Sequence, residues 1–434
     1  MTLTATLGSA GYVVDPIAKT NPVGLDIAVG TDLLCIGDSL TEQNEFEDST
    51  HLYREDRGMD NWTNIALGAP FDTLEFAGYT GQNASYIVTQ IPALLAQYPS
   101  CDVVRLLMGT NDSLNGVAAA TTIAAIDEAC RLIIDANKVL ILCTVPPNTS
   151  VSGGTALQRA NHATVNGHII DKAMSTSGIV LGDVFTAIVD DASATSAPES
   201  GMLYDGTHFA AKGAQAAGIN GIAAALGSHV KKRYLAASKG GAGSVSNPYG
   251  NVIPNPTQSG TGGILLDIAS GDAQGTPPDS WFNMCIGAGT VVVSSNTART
   301  DYPQKVSHRL VGSIGSGGSL YIFSNQPDVS AFWTPGNKAR GWIELICTTL
   351  TTIAKVEVNC IVRDSGGATI YTASNLVSVD TAALAAFSGT VPIPKFTIPA
   401  SVYDVSIQVV VTPVSGGGSV DIKVNDAVLY QIAP

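Results

Sequence analysis

The hydrophobic rhythm of this chain changes once, near residue 260, and that change constrains the fold more than any other feature. Before it, short apolar runs at 32–36, 102–108, 138–145 and 178–184 alternate with longer helix-patterned stretches at 84–98, 117–136, 156–175 and 208–226. Short buried strands separated by helices predict an α/β layer structure with a mainly parallel sheet. After the change, apolar residues recur at every second position, as at Val356, Val358, Cys360 and Val362, at Val405, Ile407, Val409 and Val411, and at Val420, Ile422 and Val424. Period two between Gly-, Pro- and Ser-bearing turns predicts an antiparallel β-sandwich or jelly roll. A chain of 434 residues exceeds one ordinary core, so two domains are expected. The reading is an N-terminal arm at 1–30, an α/β domain at 31–237, a Gly-, Ser- and Asn-Pro-rich linker at 238–263 and an all-β domain at 264–434.

Four polar strings stand out in the first part. Gly37-Asp38-Ser39-Leu40 follows the apolar run Leu33-Leu34-Cys35-Ile36. Gly78-Tyr79-Thr80-Gly81 comes next, then Gly109-Thr110-Asn111-Asp112 after another apolar run, then Asp205-Gly206-Thr207-His208. A serine on a glycine-bearing turn at the carboxyl end of a buried strand is where a hydrolase presents a nucleophile. A serine hydroxyl is a weak nucleophile and needs a base beside it. Such a serine also serves as an ordinary helix cap, as Asp205 would.

Serine, glycine, asparagine and histidine in this order, in these local strings, resemble the SGNH (GDSL-type) hydrolase family over about residues 31 to 230, near half the chain. The resemblance implies a three-layer, flavodoxin-like parallel-sheet domain and ester hydrolysis through an acyl-enzyme. It implies Ser39 as nucleophile, His208 as base and later acid, and Asp205 as the carboxylate that orients His208. It implies an oxyanion hole built from the Ser39 backbone N–H, the Gly78 backbone N–H and the Asn111 amide. The family often carries an asparagine two residues before this glycine; Phe76 stands there, which leaves Gly81 as the competing donor. Asp38 and Asp112 read as braces of their turns. No metal or organic cofactor is expected, because an acyl group and protons move through side chains alone. The last strands, Asp421 to Leu429, loosely resemble those of jelly-roll carbohydrate-binding modules.

Composition narrows the partners. Only 13% of residues are charged, and the formal charge is −14, of which −11 falls in residues 1–240. An acidic surface disfavours nucleic acid and anionic membranes. Seven scattered cysteines (35, 101, 130, 143, 285, 347 and 360) form no metal or disulfide spacing and read as buried thiols. No signal peptide and no membrane-spanning apolar segment is seen, so a soluble protein is expected, with its location unassigned. The low charge and 45 glycines fit an extracellular or virion-associated surface. Homo-oligomerisation stays open. The acidic stretch Glu42, Glu45, Glu47, Asp48, Glu55 and Asp56 reads as a solvated loop, against a cleft rim or cation site. Trp62, Tyr79 and Tyr204 read as core residues or as platforms for a sugar ring.

The leading function is therefore a carbohydrate O-acetylesterase, in one fitting setting a phage tail protein that deacetylates bacterial glycan. The alternatives are a lipase, arylesterase or acyl-thioesterase of the same fold, and a glycan- or receptor-binding protein without activity.

Overall fold

In the computed structural model, residues 26–233, 242–268, 272–299, 306–378 and 383–432 are described. Most of the expected N-terminal arm (1–25) and the start of the expected linker (238–241) lie outside them. The described chain forms two compact units. The first comprises residues 26–44, 57–63 and 70–231; the second comprises 45–56, 64–69 and the described residues from 232 onward.

The first unit is built on a five-stranded parallel sheet, in spatial order Phe71–Gly78, Thr31–Gly37, Cys101–Leu107, Val139–Cys143 and Ile179–Gly182. Numbered along the chain that order is 2-1-3-4-5, the flavodoxin-like arrangement. The switch point lies between Thr31–Gly37 and Cys101–Leu107, and ligands of such sheets bind beyond the carboxyl ends there. Helices Ala84–Gln97, Ala119–Asp135 and Ala156–Ser175 supply Ile87, Ile91, Ile126, Ile133, Val165 and others to one face, packed on Leu34, Ile36, Val104, Leu106, Leu140 and Leu142. Alternation turns Leu33, Cys35, Val103 and Arg105 to the opposite face.

Two differences from the sequence reading concern this unit. Phe71–Gly78 was not expected as a strand: as an edge strand it buries only Phe71 and Leu74, so it carries no apolar run. The last helix starts at Ala211 rather than 208, and its middle, Ala217–Ala223, widens into a π-helix. At Gly218 and Gly221 in that stretch a Cβ would strike the Met59 and Asp183 carbonyls, so both glycines permit close backbone approach.

The second unit is β-rich. One eight-stranded sheet runs Glu45–Glu47, His51–Glu55, Thr369–Val377, Ile353–Arg363, Asp404–Pro413, Ser319–Ser324, Trp281–Ile286 and Ile264–Ile268. A six-stranded sheet runs Phe387–Thr397, Lys338–Thr351, Gly418–Gln431, Val306–Ile314, Val291–Ala298 and Asp272–Gly275. The three alternating runs read from the sequence fall inside strands, with Val356, Val358, Ile407, Val409, Ile422 and Val424 fully buried. The acidic stretch is not a solvated loop. Glu45–Glu47 and His51–Glu55 form a hairpin that pairs in parallel with Thr369–Val377. Phe46 stacks on Tyr53 at 4.9 Å and Arg54 donates to Glu45 at 3.1 Å, which offsets the poor strand propensity of the glutamates. All seven cysteines are buried free thiols.

Candidate active site

Each element of the site is held by a local device that its string of residues provides. Ser39 opens a four-residue helix, Ser39–Glu42, one residue beyond the strand that ends at Gly37. Asp38 caps that helix, its carboxylate accepting from Leu40 N at 3.0 Å. Asp38 is fully buried, and burial raises its pKa against the pull of Leu40 N–H, the Thr110 hydroxyl and Arg105. A Cβ at position 37 would collide with Thr41 Oγ1 and Leu107 O, so only glycine lets the turn close.

Asn111 stands four residues past Leu107, which pairs with Gly37 in the sheet. Gly109 makes the turn with φ +114°, a left-handed conformation that favours glycine. Asp112 braces it, accepting from Ala84 N at 2.8 Å and Thr122 Oγ1 at 3.1 Å. The Asn111 amide donates to Gln82 O at 2.9 Å. That contact fixes the turn 79–82 next to Asn111, and Thr80 bonds Glu42 on the serine helix. Within this string Gly78 and Gly81 differ. A Cβ on Gly78 would run into the Glu42 backbone, whereas Gly81 (φ +72°) has open space around it.

The fourth string folds on its own aspartate. Asp205 Oδ1 accepts from Thr207 N at 2.9 Å and His208 N at 2.8 Å. Its other oxygen accepts from His208 Nδ1 at 2.6 Å. Asp205 thus caps a turn, not the later helix, and holds the imidazole as well. Partial burial works against its charge, but these bonds from His208 and Thr207 prevail and hold its carboxyl below the usual range. Gly206 (φ +87°) leaves its carbonyl to Thr149, whose N–H donates to it at 2.9 Å.

With Nδ1–H committed to Asp205, His208 presents Nε2 as an acceptor, and the Ser39 hydroxyl donates to it at 2.8 Å. The structure therefore brings together Ser39, His208 and Asp205 from positions 169 residues apart in the chain. Tyr204 lies against the imidazole, ring centroids 5.8 Å apart, with Arg57 over its ring at 4.6 Å and Gln43 donating to its hydroxyl at 3.3 Å. Tyr204 is 48% exposed, whereas Trp62 is fully buried and is a core residue. His162 and His308 are buried, and His51 and His168 lie against Asp48 and Asp127.

Among the described residues, no group of three or more His, Cys, Asp or Glu side chains is placed to hold a metal ion. No described helix is long and apolar enough to cross a membrane. A cavity of about 220 Å³ beyond Val139–Cys143 and Ile179–Gly182 is lined by residues such as Val151, Ala160, His162 and Phe185, with none of Ser39, Asp205 or His208 in its wall.

A model of the GDSL-like lipase/acylhydrolase family matches residues 35–216. The N-terminal region is that of a GDSL-like (SGNH) acylhydrolase, an ester-hydrolysing enzyme class. Among solved structures, the chain is similar to an α/β hydrolase enzyme from the metagenome of Lake Arreo, Spain, with 19% identity and a TM-score of 0.37 over 48% of this chain and 99% of that one. It is similar to a member of the lipolytic protein G-D-S-L family from Veillonella parvula, with 17% identity and a TM-score of 0.33 over 44% and 94%. It is also similar to the enzymatically active domain of tailspike protein 4 of bacteriophage CBA120, with 15% identity and a TM-score of 0.26 over 36% of this chain and 20% of that one. No curated protein matches the sequence.

Proposed function

We propose that this chain hydrolyses carboxylic esters through an acyl-enzyme on Ser39, with acetylated carbohydrate as the substrate. The observation that carries the first part is the continuous relay from Ser39 Oγ to His208 Nε2 and from His208 Nδ1 to Asp205, at 2.8 and 2.6 Å. In this reading Ser39 Oγ attacks the ester carbonyl carbon while His208 Nε2 takes its proton. Asp205 stays ionised and stabilises the imidazolium that forms. The tetrahedral oxyanion accepts hydrogen bonds from the Ser39 backbone N–H and the second Asn111 amide hydrogen. For the third donor we assign Gly81 in place of Gly78, because the space beside Gly78 is filled by Glu42 and the Asn111 amide bonds the turn that carries Gly81. Collapse breaks the ester C–O bond, His208 protonates the leaving alcohol, and water repeats the sequence to release the acid and free Ser39.

The carbohydrate substrate rests on the rim. Gln43, Thr80, Tyr204 and Asn111 give it hydrogen-bonding groups and one half-exposed ring, features suited to a hydroxyl-rich leaving group. The test is acetate release from a panel of acetylated glycans, set beside nitrophenyl acetate and octanoate, for the parent and Ser39→Ala. Preference for acetylated glycan supports the reading. Preference for octanoate turns it toward a lipase or thioesterase of the same fold, and turnover by Ser39→Ala removes the serine assignment. Glycan binding by the β-rich unit, and a place on a phage particle, are separate proposals. Their tests are glycan-array binding by the Ser39→Ala chain and co-purification with virions.

A further inference from the structure

Among the described residues, Arg105 is a fully buried cation to which the chemistry above gives no role. Arg105 interrupts the apolar run of a central strand, and its side chain is inaccessible to solvent. Burying a guanidinium is costly unless its N–H groups and charge are matched. Asp60, 1% exposed on the helix Met59–Ala66, supplies the match. Arg105 Nε donates to Asp60 Oδ1 at 2.8 Å, and Nη2 bonds the other oxygen. The remaining contacts are the informative ones. Arg105 Nη1 donates to Ile36 O at 3.1 Å and to Thr41 Oγ1 at 2.8 Å. Ile36 precedes Ser39 by three residues and Thr41 follows it by two. One guanidinium nitrogen therefore grips the nucleophile turn on both sides.

The Asp38 cap and the Thr80–Glu42 contact hold the same turn from other sides. A four-residue helix is too short to be stable alone. Asp60 also joins the far end of that helix: its N–H donates to Asn44 Oδ1 at 3.2 Å, and Asn44 Nδ2 donates to Thr41 O at 2.9 Å. Gly37 completes the fit, since any Cβ there would displace Thr41 Oγ1. We infer that the Arg105–Asp60 pair is a positioning device for Ser39, with Thr41 as the link, beyond its part in the fold. This rests on Ser39 being the nucleophile.

Thr41→Val tests it most gently, because the swap keeps the shape and leaves the ion pair intact. The expected result is a fall in kcat on the order of 10-fold with KM within about twofold of the parent, since small misplacements of reacting groups act on the chemical step. Thr41→Ser, which keeps the hydroxyl, is expected to restore kcat. The paired swap Arg105→Met with Asp60→Leu removes both charges together, a change that often spares stability. It is expected to remain folded with kcat lower by about 100-fold. Circular dichroism and melting temperature accompany each assay. A Thr41→Val enzyme with parental kcat overturns the inference. So does a Thr41→Ser enzyme no better than Thr41→Val, or a folded double variant with parental kcat; should the double variant not fold, the Thr41 pair decides. Ser39→Ala runs alongside: its activity would remove the nucleophile reading, whereas an inactive Ser39→Ala with an unimpaired Thr41→Val would remove only the positioning role.

Discussion

Replacing Asp205 by Asn probes the relay with almost no change in shape. Asp205 Oδ1 accepts from two backbone N–H groups, of Thr207 and His208, at 2.9 and 2.8 Å. In the variant those donors require an oxygen, so the amide oxygen takes that place and the NH₂ group faces His208 Nδ1. An NH₂ donor there forces Nδ1 to accept, which moves the ring proton to Nε2. Nε2 then has no lone pair for the Ser39 proton. The expected loss in kcat is about 10³- to 10⁴-fold, or roughly 4–5.5 kcal/mol in the barrier, with KM little changed. Because the turn keeps its cap, the melting temperature should stay within a few degrees of the parent, on the order of 1 kcal/mol or less. The assay is steady-state hydrolysis of nitrophenyl acetate at neutral pH, with circular dichroism as the check on folding. A kcat reduced by less than about 10-fold in a folded variant would refute the role assigned to Asp205.

Three further outcomes follow from the geometry. Gly109→Ala forces a Cβ onto a residue at φ +114°, with Val145 3.0 Å from it; a loss of about 1–2 kcal/mol in urea unfolding is expected, together with reduced kcat through Asn111. His162 and His308 are buried and neutral, with burial lowering their pKa values to about 4 and about 3 from 6.5. The unfolded chain binds protons on these groups first, so their stability is full above pH 6.5 and declines as pH falls toward 4 and 3. By pH 5 each accounts for a loss on the order of 2 kcal/mol, and His308→Phe should flatten the denaturation-midpoint curve over that window. Tyr204→Ala should lower kcat/KM more for an acetylated glycan than for nitrophenyl acetate; equal losses would leave Tyr204 as a packing partner of His208 alone.

The parts of the fold legible in the sequence were those with a periodic signature. Buried strands such as Thr31–Gly37 and Cys101–Leu107 announce themselves as apolar runs, and glycine-bearing polar strings mark where they stop. Phe71–Gly78 escaped because an edge strand needs few apolar residues, and the acidic hairpin escaped because its pairing partner, Thr369–Val377, lies more than 300 residues away. Local strings mark Ser39, Asp205 and His208, which the fold joins by hydrogen bonds, whereas the proposal of Gly81 over Gly78 rests on a contact, Asn111 to Gln82, that no string contains. Arg105 was visible as a charge inside an apolar run. Its meaning was not, because Asp60, Thr41 and Ile36 are brought to it only by packing.

The proposed chemistry requires the Ser39 oxygen to be the atom that bonds the acyl carbon. A fluorophosphonate probe, which reacts with activated serines, followed by peptide mass spectrometry, reads that atom directly. One adduct per chain is expected, on Ser39, forming in step with loss of esterase activity and absent from Ser39→Ala. An adduct on another residue, or full inhibition with Ser39 unmodified, would contradict it.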